Sequence, residues 1–167
     1  QPVRIRGLVH GATVHGLEVL EGEFKATAAS YYGPDSGIDL AVRDFVDQGT
    51  APRLAVVGLG VGMMNAYCED IAQIDYIEIN PQVVTLAEEH FSYLERCRAK
   101  TNVAIGDGRL VLERRDESYD VIMLDAFSDD AIPVHLLTQE AFQQAYLPNL
   151  APGGIIAVHI TNRYLAL

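Results

Sequence analysis

Leu54-Ala-Val-Val-Gly-Leu-Gly-Val-Gly62 carries an apolar run straight into a glycine turn. Four apolar residues read as a buried parallel strand, and Gly58, Gly60 and Gly62 make the tight turn behind it. Glu78 lies 20 positions after Gly58, near the end of the next apolar run, Ile74-Asp-Tyr-Ile-Glu-Ile79. Such a turn lets backbone approach a ligand closely, and a carboxylate at the tip of the second strand can accept both hydroxyls of a ribose. The ligand expected here contains a ribose.

The glycine spacing narrows the class of ligand. A dinucleotide fingerprint places a third glycine at position 63, which is Met63 here. With no pyrophosphate to seat on a helix N-terminus, the shorter turn suits a nucleoside such as S-adenosylmethionine and disfavours an NAD-dependent oxidoreductase.

Outward from this motif the chain alternates. Strands are expected at 53–57, 74–79, 101–105, 119–124 and 155–160, and helices at 62–70, 81–91, 108–114 and 138–146. Pro81 suits a first helical turn, and Pro152-Gly-Gly154 reads as the tight turn into the last strand. Ahead of them, Asp35 or Ser36 caps a helix running to Gly49 on the spacing of Ile38, Ala41, Val42, Phe45 and Val46. The first 30 residues alternate like strands punctuated by glycine, which predicts a small antiparallel β-hairpin region over 1–32 and a nucleoside-binding α/β domain over 33–167. Strand and helix in alternation make βαβ units and a doubly wound parallel sheet that binds ligands at its carboxyl edge. Three carboxylates fall on that edge: Glu78, Asp107 in Gly106-Asp-Gly108, and Asp125 in Ile122-Met-Leu-Asp125.

Composition limits the partners. A chain of 167 residues with 49% hydrophobic content is one domain with a substantial core. Its net charge of −11 argues against nucleic acid and favours a small cationic molecule. Two cysteines, Cys68 and Cys97, make no disulfide framework and no CxxC pair, which predicts a reducing, cytoplasmic setting. The five histidines have no metal-site spacing, so no metal is expected, and His10 and His15 take structural or substrate-lining roles. No run reaches the apolar length of a membrane span.

The blocks Val57-Gly-Leu-Gly-Val-Gly62, Tyr76-Ile-Glu-Ile-Asn-Pro81, Gly106-Asp-Gly108, Tyr119-Asp-Val-Ile-Met-Leu-Asp125 and Leu150-Ala-Pro-Gly-Gly-Ile155 together resemble the spermidine synthase (polyamine aminopropyltransferase) family, within the class I methyltransferase-like, Rossmann-like fold. Three longer blocks, His10-Gly-Ala-Thr-Val-His-Gly16, Tyr31-Tyr-Gly-Pro-Asp-Ser-Gly37 and the stretch from Asp125 to Leu137, resemble the spermidine-synthase-like domain fused to membrane-spanning segments.

The resemblance implies roles for particular residues. Glu78 would hold the ribose hydroxyls, Asp107 and Gly108 the adenine end, and the turn of Gly58, Gly60 and Gly62 the backbone around the sulfonium of decarboxylated S-adenosylmethionine or S-adenosylmethionine. Asp125 would be the catalytic carboxylate, attracting a protonated amine and receiving its proton. Tyr31 or Tyr32 would align the amine, Tyr32 being the catalytic choice. Glu18, where the family usually has Gln, and Asp129 would bind substrate.

Two departures matter. Val61 stands where the family usually carries an Asp able to meet the donor's primary ammonium. The loop after Asp125 is one residue longer than the family's, so either Asp129 or Asp130 falls at its second acidic place. Three readings follow: an aminopropyltransferase, a methyltransferase using the intact donor, and a non-catalytic nucleoside or polyamine sensor attached to a membrane protein. The chain starts on Gln and stops just after an apolar strand, so a piece of a longer protein is expected, lacking two C-terminal strands of the fold. An exposed sheet edge would also favour a homodimer.

Overall fold

A computed structural model describes residues 3–11, 13–127 and 132–160. A two-stranded antiparallel hairpin, β1 (Ile5–His10) and β2 (Thr13–Val19), precedes a five-stranded sheet. The sheet comprises β3 (Arg53–Val57), β4 (Gln73–Glu78), β5 (Thr101–Ile105), β6 (Tyr119–Leu124) and β7 (Leu150–Val158), in the order β5-β4-β3-β6-β7. All four pairings are parallel. The chain winds outward one way from β3 through β4 to β5, then restarts on the other side with β6. That reversal opens a crevice beyond the carboxyl ends of β3 and β6, where open α/β sheets bind ligands.

The three central strands, β3, β4 and β6, are covered on both faces and are mostly apolar on both sides. Leu54, Val56, Ile74, Tyr76, Val121 and Met123 pack with Ile38 and Val42 of α1 (Gly37–Val46) and with Tyr93 of α3 (Tyr93–Arg96). Ala55, Val57, Ile77, Ile122 and Leu124 pack on the opposite face with Leu112 of α4 (Gly108–Glu113) and with Tyr146. Burying each large aliphatic side chain stabilises the fold by about 1.5–3 kcal/mol.

Helix starts follow local capping chemistry. Of the two candidate caps for α1, Ser36 takes the role, its Oγ accepting from the Asp39 amide at 3.2 Å. Asn80 caps α2 (Pro81–His90), with Pro81 in its first turn, and Asp107 caps α4.

Several expectations need correction. The helix expected over 62–70 is a short 3₁₀ turn, Met63–Tyr67, because the chain leaves the glycine turn at left-handed Gly62. The last helix, α5, is α-helical only over Gln139–Ala141 and continues as a π turn over Phe142–Tyr146. Pro152-Gly-Gly154 does not precede the last strand. β7 already pairs at Leu150, opposite Tyr119, and these residues form an irregularity within it before Val121 meets Ile155.

The cysteine reading is overturned. Cys68 and Cys97 form a disulfide, their Cα atoms 6.0 Å apart, linking the segment after the glycine turn to the end of α3. Tertiary packing of α3 brings together two residues that no local spacing pairs, and the argument for a reducing compartment loses its support. No helix among the described residues is long and apolar enough to cross a membrane.

Candidate functional site

The glycine turn is shaped by close contacts within the protein. Gly58 has φ +99°, and a Cβ there would lie 2.4 Å from the backbone oxygen of Asp125. Gly60 has φ +56°, and a Cβ there would lie 2.3 Å from the His15 carbonyl oxygen. Only glycine fits at either place. The turn thus brings β3 against the end of β6 and seats the hairpin on top. Val61 is buried beneath that hairpin, where a Cβ on Gly16 would meet its side chain at 2.6 Å.

A cleft opens beside this turn. Its lining includes Gly58, Gly60, Glu78, Asp107, Gly108 and Asp125 from the sheet edge, together with Val14, His15, Tyr31, Phe127 and His135. Gly62 lies outside it, packed toward Leu94. Glu78 is buried at the tip of β4. Its Oε2 accepts from the Leu59 amide at 2.9 Å and its Oε1 from the Asn80 amide at 2.9 Å. A carboxylate has about four acceptor sites, so lone pairs remain for further donors.

Asp107 Oδ1 accepts from the Leu110 amide at 3.0 Å, and Oδ2 lies 2.8 Å from His135 Nε2. Partial burial acts to raise its pKa, but the hydrogen bond from Leu110 and the neighbouring His135 outweigh this and hold it below the usual carboxylate value.

Asp125 lines the cleft just past the end of β6. Its Oδ2 accepts from the Tyr32 hydroxyl and, at 3.5 Å, from the Tyr31 hydroxyl, while Oδ1 lies 2.6 Å from His159 Nδ1. Burial first, and then the charge of Asp125, push both tyrosines well above the ordinary phenol pKa, so they remain protonated donors. Tyr31 faces the cleft, and Tyr32 is buried behind it.

The structure therefore gathers Gly58, Gly60, Glu78, Asp107, Gly108, Asp125 and Tyr31 around one space, with Tyr32 supporting from behind. Glu18 lies elsewhere, buried and turned to Ser92, whose amide and hydroxyl it accepts from. Asp129 and Asp130 lie outside the described residues. Sequence reasoning missed two histidines. His135 sits within the long block from Asp125 to Leu137 and was open to notice there. His159 follows β7 on an apolar run, and only the register of β6 with β7 pairs it with Asp125.

A family model, the spermine/spermidine synthase domain, matches residues 60–165. A polyamine aminopropyltransferase of Vibrio vulnificus is 34% identical over 94 residues, which span 53% of this chain and 31% of the relative. An eEF1A lysine and N-terminal methyltransferase of Bos taurus is 30% identical over 129 residues, spanning 71% of this chain and 18% of that protein. This chain thus spans about a third or less of these relatives. The solved structure of human methyltransferase-like protein 13 in complex with SAH is similar with a TM-score of 0.56 and 26% identity, covering 70% of this chain and 56% of that one. With a matching domain model over more than half its length, a parallel sheet in the order β5-β4-β3-β6-β7 and a carboxylate-lined cleft at its carboxyl edge, the chain belongs to the spermine/spermidine synthase domain family.

Proposed function

We propose that the cleft binds an S-adenosylmethionine-type nucleoside and that Asp125 receives a small cationic amine, to which the aminopropyl group of decarboxylated S-adenosylmethionine is transferred. The observation that carries this reading is the position of Asp125. It is a largely buried carboxylate that lines the cleft just past the end of β6, its oxygens held by Tyr31, Tyr32 and His159.

Glu78 and Asp107 take the ribose hydroxyls and the adenine amino group, and the turn at Gly58 and Gly60 lies against the sulfonium. Asp125 attracts the alkylammonium and accepts its proton, freeing a nitrogen lone pair. That nitrogen bonds to the methylene next to sulfur as the C–S bond breaks, its electron pair passing to sulfur and leaving methylthioadenosine. The named relatives support this reading, since one is a polyamine aminopropyltransferase.

Val61 favours a second reading, methyl transfer from the intact donor. Buried beneath the hairpin, it supplies no carboxylate to meet a primary ammonium and none to repel the intact donor's carboxylate. The methyltransferase relative fits this alternative. Either way Asp125→Asn is the test of the site. Turnover is expected to fall on the order of 100-fold or more while nucleoside affinity holds, since the charge is lost and the shape is kept. A variant with full activity would remove Asp125 from the mechanism.

A further inference from the structure

His159 follows β7 as Asp125 follows β6, and the register Leu124↔Val158 makes the two residues neighbours across parallel strands. The His159 amide donates to the Leu124 carbonyl at 3.0 Å, which fixes its backbone. Its side chain is fixed as well. Nδ1 lies 2.6 Å from Asp125 Oδ1, and the ring stacks on Tyr31 with centroids 3.8 Å apart and planes at 28°. Phe127 meets the ring edge-on at 4.8 Å. The imidazole is largely buried, with 17% of its side chain exposed.

These contacts act on the cleft at two points. Through Nδ1 the histidine occupies the Asp125 oxygen that the tyrosines leave, so the carboxylate cannot rotate. Through its face it holds the ring of Tyr31, which lines the cleft and donates to the other oxygen. We propose that His159 is a positioning residue for Asp125 and Tyr31, donating from Nδ1 to the carboxylate, so that Asp125 Oδ2 and the Tyr31 hydroxyl present one fixed edge to the incoming acceptor. Asp125 and Tyr31 are the titratable groups that face the ring among the described residues. The inference rests on the reading of Asp125 as the acceptor's proton recipient.

With Nδ1–H pointed at a carboxylate, the tautomer is set by that hydrogen bond. His159→Asn keeps an N–H donor near the place of Nδ1 but no aromatic face, whereas His159→Ala keeps neither. A loosened carboxylate still binds the acceptor but seldom in the reactive geometry, a loss on the order of 100-fold in rate.

The test uses the full chain and three variants, His159→Ala, His159→Asn and Asp125→Asn, with kcat, the acceptor KM, nucleoside affinity and the ring-nitrogen NMR signals of His159. His159→Ala should lower kcat about 100-fold with nucleoside affinity unchanged, and His159→Asn should recover about ten-fold of that loss. In the wild type the proton of His159 should reside on Nδ1, and Asp125→Asn should release that preference. Wild-type kcat in His159→Ala, no recovery in His159→Asn, or an Nδ1 that carries no proton would each overturn the proposal. If the wild type transfers no group to any amine, the functional reading fails instead, and the NMR signals still decide whether His159 is paired to Asp125.

Discussion

Glu78 Oε2 accepts a hydrogen bond from the Leu59 amide at 2.9 Å, so the carboxylate proposed to hold the ribose also pins the glycine turn beside it. Its other oxygen takes the Asn80 amide at the start of α2. One side chain therefore ties β4, the turn after β3 and the entry to a helix into a single wall of the cleft.

Glu78→Gln is expected to weaken both stability and nucleoside binding. An amide can accept with its oxygen only, and its NH₂ would face a backbone N–H that loses its acceptor. That mismatch costs about 1–3 kcal/mol. Thermal unfolding should fall by roughly 2–4 °C for each kcal/mol lost, and calorimetry should show weaker nucleoside binding. Unchanged melting and affinity would remove Glu78 from both roles.

Asp75 gives a prediction at acid pH. Burial alone would raise its pKa, but hydrogen bonds from Gln73, Asn102 and Tyr119 and the nearby Arg115 outweigh it and hold the carboxyl below its usual value. A depressed folded-state pKa means the stabilisation is present above the unfolded value of about 4 and is lost as pH falls through the folded one. Asp75→Ala should cost about 3–5 kcal/mol at neutral pH, since it strands buried partners. Denaturant melts should show the gap to wild type narrowing at the lowest pH; a gap independent of pH would show that the charge contributes nothing.

The disulfide is testable directly. Cys68 and Cys97 are separated by 29 positions, and a loop of that size stabilises by about 3–4 kcal/mol through the unfolded chain. The double variant Cys68→Ser/Cys97→Ser should melt roughly 10 °C lower. Two thiols alkylated in the unfolded, unreduced protein would contradict the bridge.

Much of this was legible in the chain. β3, β5 and β6 fall on their expected residues, and β4 is offset by a single position; for the buried strands β3, β4 and β6 the apolar runs leave few alternatives. The cleft carboxylates were legible for the same reason, each lying at or just past the end of a strand. What stayed hidden depends on contacts between distant segments. Cys97 reaches Cys68 only through the packing of α3, and His159 meets Asp125 only through strand register. Glu18 accepts from Ser92 away from the cleft, a pairing that its alignment with a family position does not reveal. Val61 looked like a position open to the donor, but the bare backbone of Gly16 lets the hairpin close over it.

Whether the cleft holds a donor beside an acceptor carboxylate can be decided by calorimetric titration with decarboxylated S-adenosylmethionine and, separately, S-adenosylmethionine, followed by addition of putrescine and an assay for methylthioadenosine. The decarboxylated donor should bind more tightly, and methylthioadenosine should appear only once the amine is present. Preference for the intact donor without that product would shift the reading to methyl transfer. Failure of both nucleosides to bind would contradict the proposed site.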